Sequence, residues 1–558
     1  MTQFPEEKAE RSMGILRRKE AEESARLLAQ KYGIPYVDLS VFPVEVDAIK
    51  IVPESAARAG GIAVFQITGA RLKIAVRNPD APETADQLRS LAQSHYDRDL
   101  FLASPYSLER AWSFYKKVPE RHGASAATIE VSGEKLAAFQ REMRGIPELK
   151  TKIEASFSGV TSEALEIILA GALAVDASDI HIEPQGDAVR LRLRMDGVLR
   201  DITKLPTRFY QLLLSRIKLV SEMKLNIRDS AQDGRFTIHS GADAIEVRTS
   251  ALPGPDGENI VMRVLNPRAI EISFQNLGMQ PWVGAIMEAE LKKPNGLILT
   301  TGPTGSGKTT TLYTFLRSVR NPGIKIITIE DPIEYHLSGI EQTQVDQDKG
   351  YDFANGLRSI VRQDPDVILV GEIRDLETAE TAMHAALTGH LVFSTLHTND
   401  AAGTIPRLLD LGVKPAIIAP AVNVAMAQRL VRKLCAECRR PVMPDEAMKK
   451  NIAEQLAAFP ENIRSMPDAL LPENKWTIFS AAETGCGQCN GAGYRGRTGV
   501  YEIIVMNDET ETLILKSASG SEIKKEALRQ GQITMRQDAL LKVLAGITDF
   551  AEVERTVG

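Results

Sequence analysis

Apolar and polar positions along the 558-residue chain fall into three patterns, and each predicts a different kind of layer. Over residues 32–112, short strand-like runs at 62–67 and 72–76 alternate with helix-spaced text at 85–95, which predicts a small α/β module. Between 116 and 156 the text turns hydrophilic and mixed in charge, with Gly and Ala but little periodicity, as in a linker holding a short helix. A second α/β unit follows, with helices at 162–174 and 210–223 and strands at 180–183, 189–195 and 244–249. From residue 296 the pattern changes. Apolar runs at 297–300, 325–329, 367–370 and 391–395, separated by helical segments, predict a mostly parallel sheet covered on both faces. The segment 435–494 interrupts that domain with a polar, Pro-rich insertion, and a helical tail closes the chain. The absence of any repeat of 20 to 50 residues excludes solenoids and propellers.

Length then bounds the count, because at about 150 residues per domain the chain holds three or four. Hydrophobic residues at 43% and charged residues at 25% are globular values. Only 5% is aromatic, so platforms for stacking bases are scarce, and a net charge of −6 argues against a chain that coats nucleic acid. Four cysteines are too few for a disulfide scaffold and fit a reducing compartment. The stretch 1–26 is dense in Glu, Lys and Arg and lacks the shape of a secretory signal. The longest apolar run, 167–175, is nine residues, about half of the 18 or more that a bilayer span needs. Any membrane role is therefore expected to run through a partner.

Gly302-Pro303-Thr304-Gly305-Ser306-Gly307-Lys308-Thr309 fits the P-loop pattern, between an apolar strand at 297–301 and helical text at 310–320. Glycines are needed there because a nest of backbone N–H groups must wrap a phosphate closely at the positive end of a helix. Lys308 is placed to reach the β- and γ-phosphates, and the Thr309 hydroxyl to enter the small octahedral shell of Mg²⁺. Thr310 completes the set expected to contact nucleotide. A Gly-rich turn without function is the competing reading, and the strand-to-helix context counts against it.

Hydrolysis also needs groups that hold the metal and orient water. Asp366-Val-Ile-Leu-Val-Gly-Glu372 is a buried strand ending in a carboxylate, with Glu372 suited to the Mg²⁺ shell. Ile327-Thr-Ile-Glu-Asp-Pro-Ile-Glu334 is a second strand ending in acids, at the edge where α/β sheets bind ligands. A solvated acidic turn is its plainer reading. His390 and His397 bracket a strand; singly, each is more often a structural hydrogen-bonding residue, but His397 falls at the ligand-binding edge. Cys435-Ala-Glu-Cys438 and Cys486-Gly-Gln-Cys489 are two C-x₂-C pairs, able to give four thiolates to one tetrahedral Zn²⁺ that leaves no open position. Arg432, Lys433, Arg439 and Arg440 nearby are expected to help ionise the thiols. A redox dithiol is the alternative, without thioredoxin-like text around it.

In this order the segments resemble the secretion ATPase family of type II secretion and type IV pilus assembly, the GspE/PilB-like motors, from about residue 153 to the C-terminus and less clearly over 28–112. Walker A looks like 302–309, the Asp box like 328–334, Walker B like 366–372 and the His box like 388–397. The resemblance implies that Glu334 polarises the attacking water, that Glu372 is the Mg²⁺-linked carboxylate and that His397 lies near the γ-phosphate. Ser178-Asp-Ile-His-Ile-Glu-Pro184 and Arg194-Met-Asp-Gly-Val-Leu199 are similar to the family's second N-terminal domain. There Arg248 and Arg263 match arginines that reach toward the nucleotide's phosphates.

The fold so implied is multidomain α/β, with a RecA-like P-loop ATPase core, a preceding PAS-like α/β domain and a small N-terminal α/β domain. Its divisions would be an N1-like docking domain at 1–115, a linker at 116–150, the arginine-bearing PAS-like domain at 151–270 and the ATPase domain at 271–558, with a tetracysteine zinc insertion at 430–495. The implied protein is a cytoplasmic hexamer, peripheral at the inner membrane. It hydrolyses ATP with Mg²⁺, carries Zn²⁺, and works on an inner-membrane platform protein beside a membrane-associated docking protein, without nucleic acid. Assembly-type motors carry the tetracysteine element and retraction-type motors lack it; a retraction ATPase and a hexameric DNA helicase or translocase remain the alternatives. Some relatives bind cyclic di-GMP through paired Arg-Leu-Gly patterns, which this chain does not have.

Overall fold

The computed structural model describes residues 5–42, 44–49, 51–68, 71–93, 97–117, 128–130, 145–158, 161–240, 243–464 and 478–558. The chain divides into two compact units, Met1–Ser125 and Ala126–Gly558.

In the first unit the middle strand Arg71–Val76 runs antiparallel to Ile62–Thr68 and parallel to Asp97–Leu102. Leu72 and Ile74 pack with Leu39, Phe65, Leu108 and Trp112 into its core. Both expected strands are present, and the expected helix is Pro82–Gln93. The third strand is not among those the pattern predicts, because it opens on Asp97, Arg98 and Asp99 and only then turns apolar. Much of the expected linker, 118–127 and 131–144, lies outside the described residues, and the helix Ile146–Ala155 stands in its last part.

The second unit holds two large sheets. The first runs in the order Thr128–Glu130, Gln232–Ser240, Asp243–Gly254, Gly257–Leu265, Asp179–Gln185, Ala188–Met195, Val198–Leu205. One face packs Ile180, Ile182, Leu191, Leu193, Val247 and Met262 against the helices Thr161–Ala174 and Thr207–Val220. Because side chains alternate along a strand, the other face takes Asp179, His181, Arg194, Arg248 and Arg263. The strands Val198–Leu205, Gln232–Ser240 and Gly257–Leu265 are additions to the sequence reading.

The second sheet has the order Glu341–Gln344, Ile326–Glu330, Val367–Val370, Leu391–Leu396, Gly296–Thr301, Val422–Leu434, Tyr494–Val505. The first six are parallel and the last is antiparallel. Uninterrupted apolar runs form these strands because both faces are covered. Leu297 and Leu299 join Leu357, Ala379 and Met383 on one side, while Ile298 joins Leu312, Phe315 and Phe393 on the other. Four strands end together at Thr301, Glu330, Val370 and Leu396, so whatever follows them in sequence meets at one edge. The insertion is less polar than its composition suggests. Ile452, Leu456, Phe459 and Ile463 are buried against Val431, Ile533 and Leu540.

Candidate active site

The loop after Thr301 turns on glycines in the left-handed region, with φ of +150° at Gly302, +80° at Gly305 and +91° at Gly307. A Cβ on Gly302 would stand 2.6 Å from both the Gln428 carbonyl and Ser306 Oγ, so the loop has no room for a side chain there. Lys308, the first residue of the helix Lys308–Val319, folds back over the loop, and its Nζ donates to the carbonyls of Gly302 (2.7 Å) and Pro303 (3.2 Å). Burial pushes its ammonium below the ordinary lysine range, against the opposing pull of the Glu372 charge. Ser306 Oγ is buried with no protein partner, whereas Thr309 is exposed at the helix start. A concave nest of N–H groups, a buried hydroxyl without a partner and a lysine bridging loop carbonyls fit a bound phosphate.

The loop lines a cleft of about 830 Å³ that also takes in Glu334, Glu372, His397 and Arg263. Glu372 follows Val367–Val370 by two residues, with its side chain 16% exposed, and pairs with Arg374 and with His397 Nε2 at 3.2 Å. His390 is structural, its Nδ1 lying 2.9 Å from the Ala385 carbonyl. Glu334 lies beyond Ile326–Glu330, and Arg248 grips this turn. Its Nη1 is 2.9 Å from Glu334 Oε2, its Nη2 donates to the Ile333 carbonyl and its Nε donates to Glu246 (3.0 Å). Glu330 faces inward, accepting from Thr328 Oγ1 (2.6 Å), Tyr313 Oη (2.5 Å) and Gln342 Nε2 (3.1 Å). It is thereby tied into the core, while Asp331 and Glu334 stand at the cleft outside that network.

Sequence reasoning missed several residues of this cleft, among them Asp179, Arg194, Arg429 and Arg555. Arg429 Nη1 donates to the Gln428 carbonyl (3.1 Å) and Nη2 to that of Asn399 (3.0 Å). Thr301 stands beside Ala427 in the parallel ladder, so Arg429 falls two residues past it, at the loop edge. That signal is readable only once the strand order is known.

The four cysteine sulfurs lie within 4.8 Å of one another, with Cys435–Cys486 and Cys438–Cys489 both at 3.7 Å and Cys486–Cys489 at 3.9 Å. Tetrahedral Zn–S bonds of about 2.3 Å would set sulfurs roughly 3.8 Å apart, so the donor set fits Zn²⁺. Backbone N–H groups of Cys486 and Gly493 also donate to Cys489 Sγ, each at 3.2 Å. The expected ionising role of the neighbouring arginines is corrected for two of them. Arg432 is engaged by Glu552 (2.7 Å) and lies over the Tyr494 ring, while Arg439 lies over Phe479 and donates to the Gly546 carbonyl. Burial instead pushes the Cys438 thiol up to about 12. For Cys486 burial acts the same way but is outweighed by the N–H groups of Cys489 and Gln488, and its thiol is lowered to about 7.

A parallel sheet with a P-loop on one strand, carboxylates on two others and all of them meeting at one edge defines a P-loop NTPase class of protein. Residues 154–555 match the family described as type II/IV secretion system protein, and residues 32–122 match the MshEN domain. The chain is 36% identical over 528 residues to the type IV pilus assembly ATPase PilB of Myxococcus xanthus, covering 94% of this chain and 89% of that one. It is 42% identical over 410 residues to the type II secretion system protein E of Pseudomonas aeruginosa, covering 74% and 78%. The ATPase DotB of Yersinia pseudotuberculosis shares the fold, at 20% identity and a TM-score of 0.50 over 70% of this chain and 92% of that one. The chain belongs to the type II/IV secretion system ATPase family. Among the described residues, no helix is long and apolar enough to cross a membrane.

Proposed function

We propose that this chain hydrolyses ATP with Mg²⁺ to power assembly of a type IV pilus or a type II secretion pseudopilus. It acts as a cytoplasmic homohexamer on an inner-membrane platform protein, beside a membrane-associated docking protein. The observation that carries the reading is the meeting of the P-loop, Glu334, Glu372, His397 and Arg263 in one cleft. Residues 302–310 hold the phosphates, Glu334 orients the attacking water, and the arginines Arg248 and Arg263 face the charge that builds on the transferring phosphoryl. Arginine supplied in this way accelerates phosphoryl transfer by about 10³ to 10⁵ elsewhere. Thr309 and Glu372 hold Mg²⁺, which when bound neutralises charge on the β- and γ-phosphates. The four cysteines hold a structural Zn²⁺. The domain divisions are those given by the sequence reading, with 1–115 as the docking domain.

Assembly rather than retraction is supported by the names of the relatives and by the tetracysteine cluster. The experiment is a chromosomal Glu372→Gln variant in the host cell. Loss of surface fibres or of secreted protein is expected; an excess of surface fibres would instead mark a retraction motor. Stimulation of the purified ATPase by single-stranded DNA would turn the reading to a helicase or translocase.

A further inference from the structure

Two of the arginines that line the cleft with the phosphate loop, Arg194 and Arg263, come from one sheet, and its register sets them in a row with Arg235 and Arg248. Across adjacent strands Arg235 pairs with Arg248, Arg248 with Arg263, Arg263 with Asp179, and Asp179 with Arg194. Residues in register on neighbouring strands share a face and stand close enough to interact. Four guanidiniums in such a row repel one another, and the row contains a single carboxylate.

That carboxylate is at the base of the row. The Asp179 side chain is 7% exposed, against 34% for Arg194 and 54% for Arg263. Asp179 Oδ1 accepts from Arg263 Nε at 3.1 Å, and its Oδ2 accepts from Ser178 Oγ at 2.8 Å and lies 3.3 Å from Arg194 Nε. Both arginines therefore meet Asp179 through Nε, the guanidinium nitrogen nearest the chain. The contacts of both arginines with this carboxylate thus run through Nε, and Arg194 Nη1 donates instead to the Gly197 carbonyl, at 3.2 Å. Asp179, Arg194 and Arg263 all line the cleft that holds the phosphate loop.

Charge separates this group from Arg248. Arg248 touches two carboxylates, Glu246 and Glu334, so its charge is compensated by protein. Arg194 and Arg263 share the one carboxylate of Asp179, so these three side chains together carry one uncompensated positive charge, and all three line the cleft.

We propose that Asp179 is a positioning residue for ATP hydrolysis. It fixes the Nε side of Arg263 and Arg194 and so aims their terminal nitrogens at the terminal phosphoryl group, with Arg194 as a further phosphate-facing arginine. The proposal rests on the ATPase reading above. Its physical basis is that a planar guanidinium fork gains from being pre-aligned, because a misplacement of about 1 Å in a positioning group can cost on the order of 10²-fold in rate. The antiparallel ladder between Asp179–Gln185 and Gly257–Leu265 already joins these strands through backbone hydrogen bonds, so the carboxylate is not needed to hold the sheet together.

The test uses the full chain with Asp179→Asn, Arg263→Gln and the double variant. The isosteric Asp179→Asn change is expected to lower kcat by about 30-fold, within the range that misplaced groups lose. Affinity for a fluorescent ADP analogue should stay within about threefold, because the P-loop holds the inner phosphates. The effects of Asp179→Asn and Arg263→Gln should not multiply, since both remove the same aimed group. A lowered melting temperature with unchanged kcat per folded molecule, or fully multiplicative losses, would overturn the proposal. Should Asp179→Asn fail to fold, Arg194→Gln reads the same claim: about a tenfold loss of kcat is expected, and parental kcat would overturn it. Failure of the ATPase reading itself would show separately, as parent protein without Mg²⁺-dependent hydrolysis.

Discussion

Lys308→Ala is expected to lower ATP turnover by about 10³-fold while leaving the chain folded, read as phosphate release at saturating ATP. The ammonium lies over the phosphate loop, donating to the Gly302 and Pro303 carbonyls, and is the one cation that the loop itself carries. Removing a single donor from a site that stabilises developing negative charge costs about 10²- to 10³-fold elsewhere, and here a full charge goes with it. Folding should survive because alanine is the best helix former and Lys308 opens a helix anchored by buried Leu312, Phe315 and Leu316. Turnover within tenfold of the parent would remove the P-loop from the account.

The second large effect concerns the cysteines. Cys438→Ser should take the chain from about one Zn²⁺ per molecule to almost none, and should open the segment 435–494 to proteolysis. A serine hydroxyl stays protonated where a thiolate binds, so the tetrahedral set is broken. Structural zinc contributes on the order of 10 kcal/mol in small domains, far more than the buried stripe of Ile452, Leu456, Phe459 and Ile463 can replace. Zinc content is the primary readout, by elemental analysis of the purified chain. Unchanged protease resistance in a zinc-free variant would show that the insertion holds itself together by packing alone.

The sheet that carries the P-loop was legible because its strands are buried on both faces and therefore read as unbroken apolar runs, such as Leu297-Ile298-Leu299. Several strands with a solvated or site-facing surface were not. Val198–Leu205 and Gly257–Leu265 mix Arg, Glu, Asp and Asn among their apolar residues, and Asp97–Leu102 begins with three charges. The insertion carried a signal that went unread: Ile452, Leu456, Phe459 and Ile463 recur at spacings of four, three and four, as on one side of a helix. Local motifs pointed to Lys308, Glu334, Glu372, His397 and the cysteines, and the structure brings the first four into one cleft. Asp179, Arg194 and Arg429 were hidden because their place at the site depends on which strands are neighbours, a long-range property that no local spacing encodes.

ATP hydrolysis in this cleft is proposed to depend on Glu334 to orient the water. Phosphate release by the full chain with Mg²⁺ and saturating ATP, parent against Glu334→Gln, tests it most directly. Mg²⁺-dependent turnover is expected in the parent and about 10²- to 10³-fold less in the variant, with ATP still bound at near-parental affinity. Parental turnover in Glu334→Gln would contradict it.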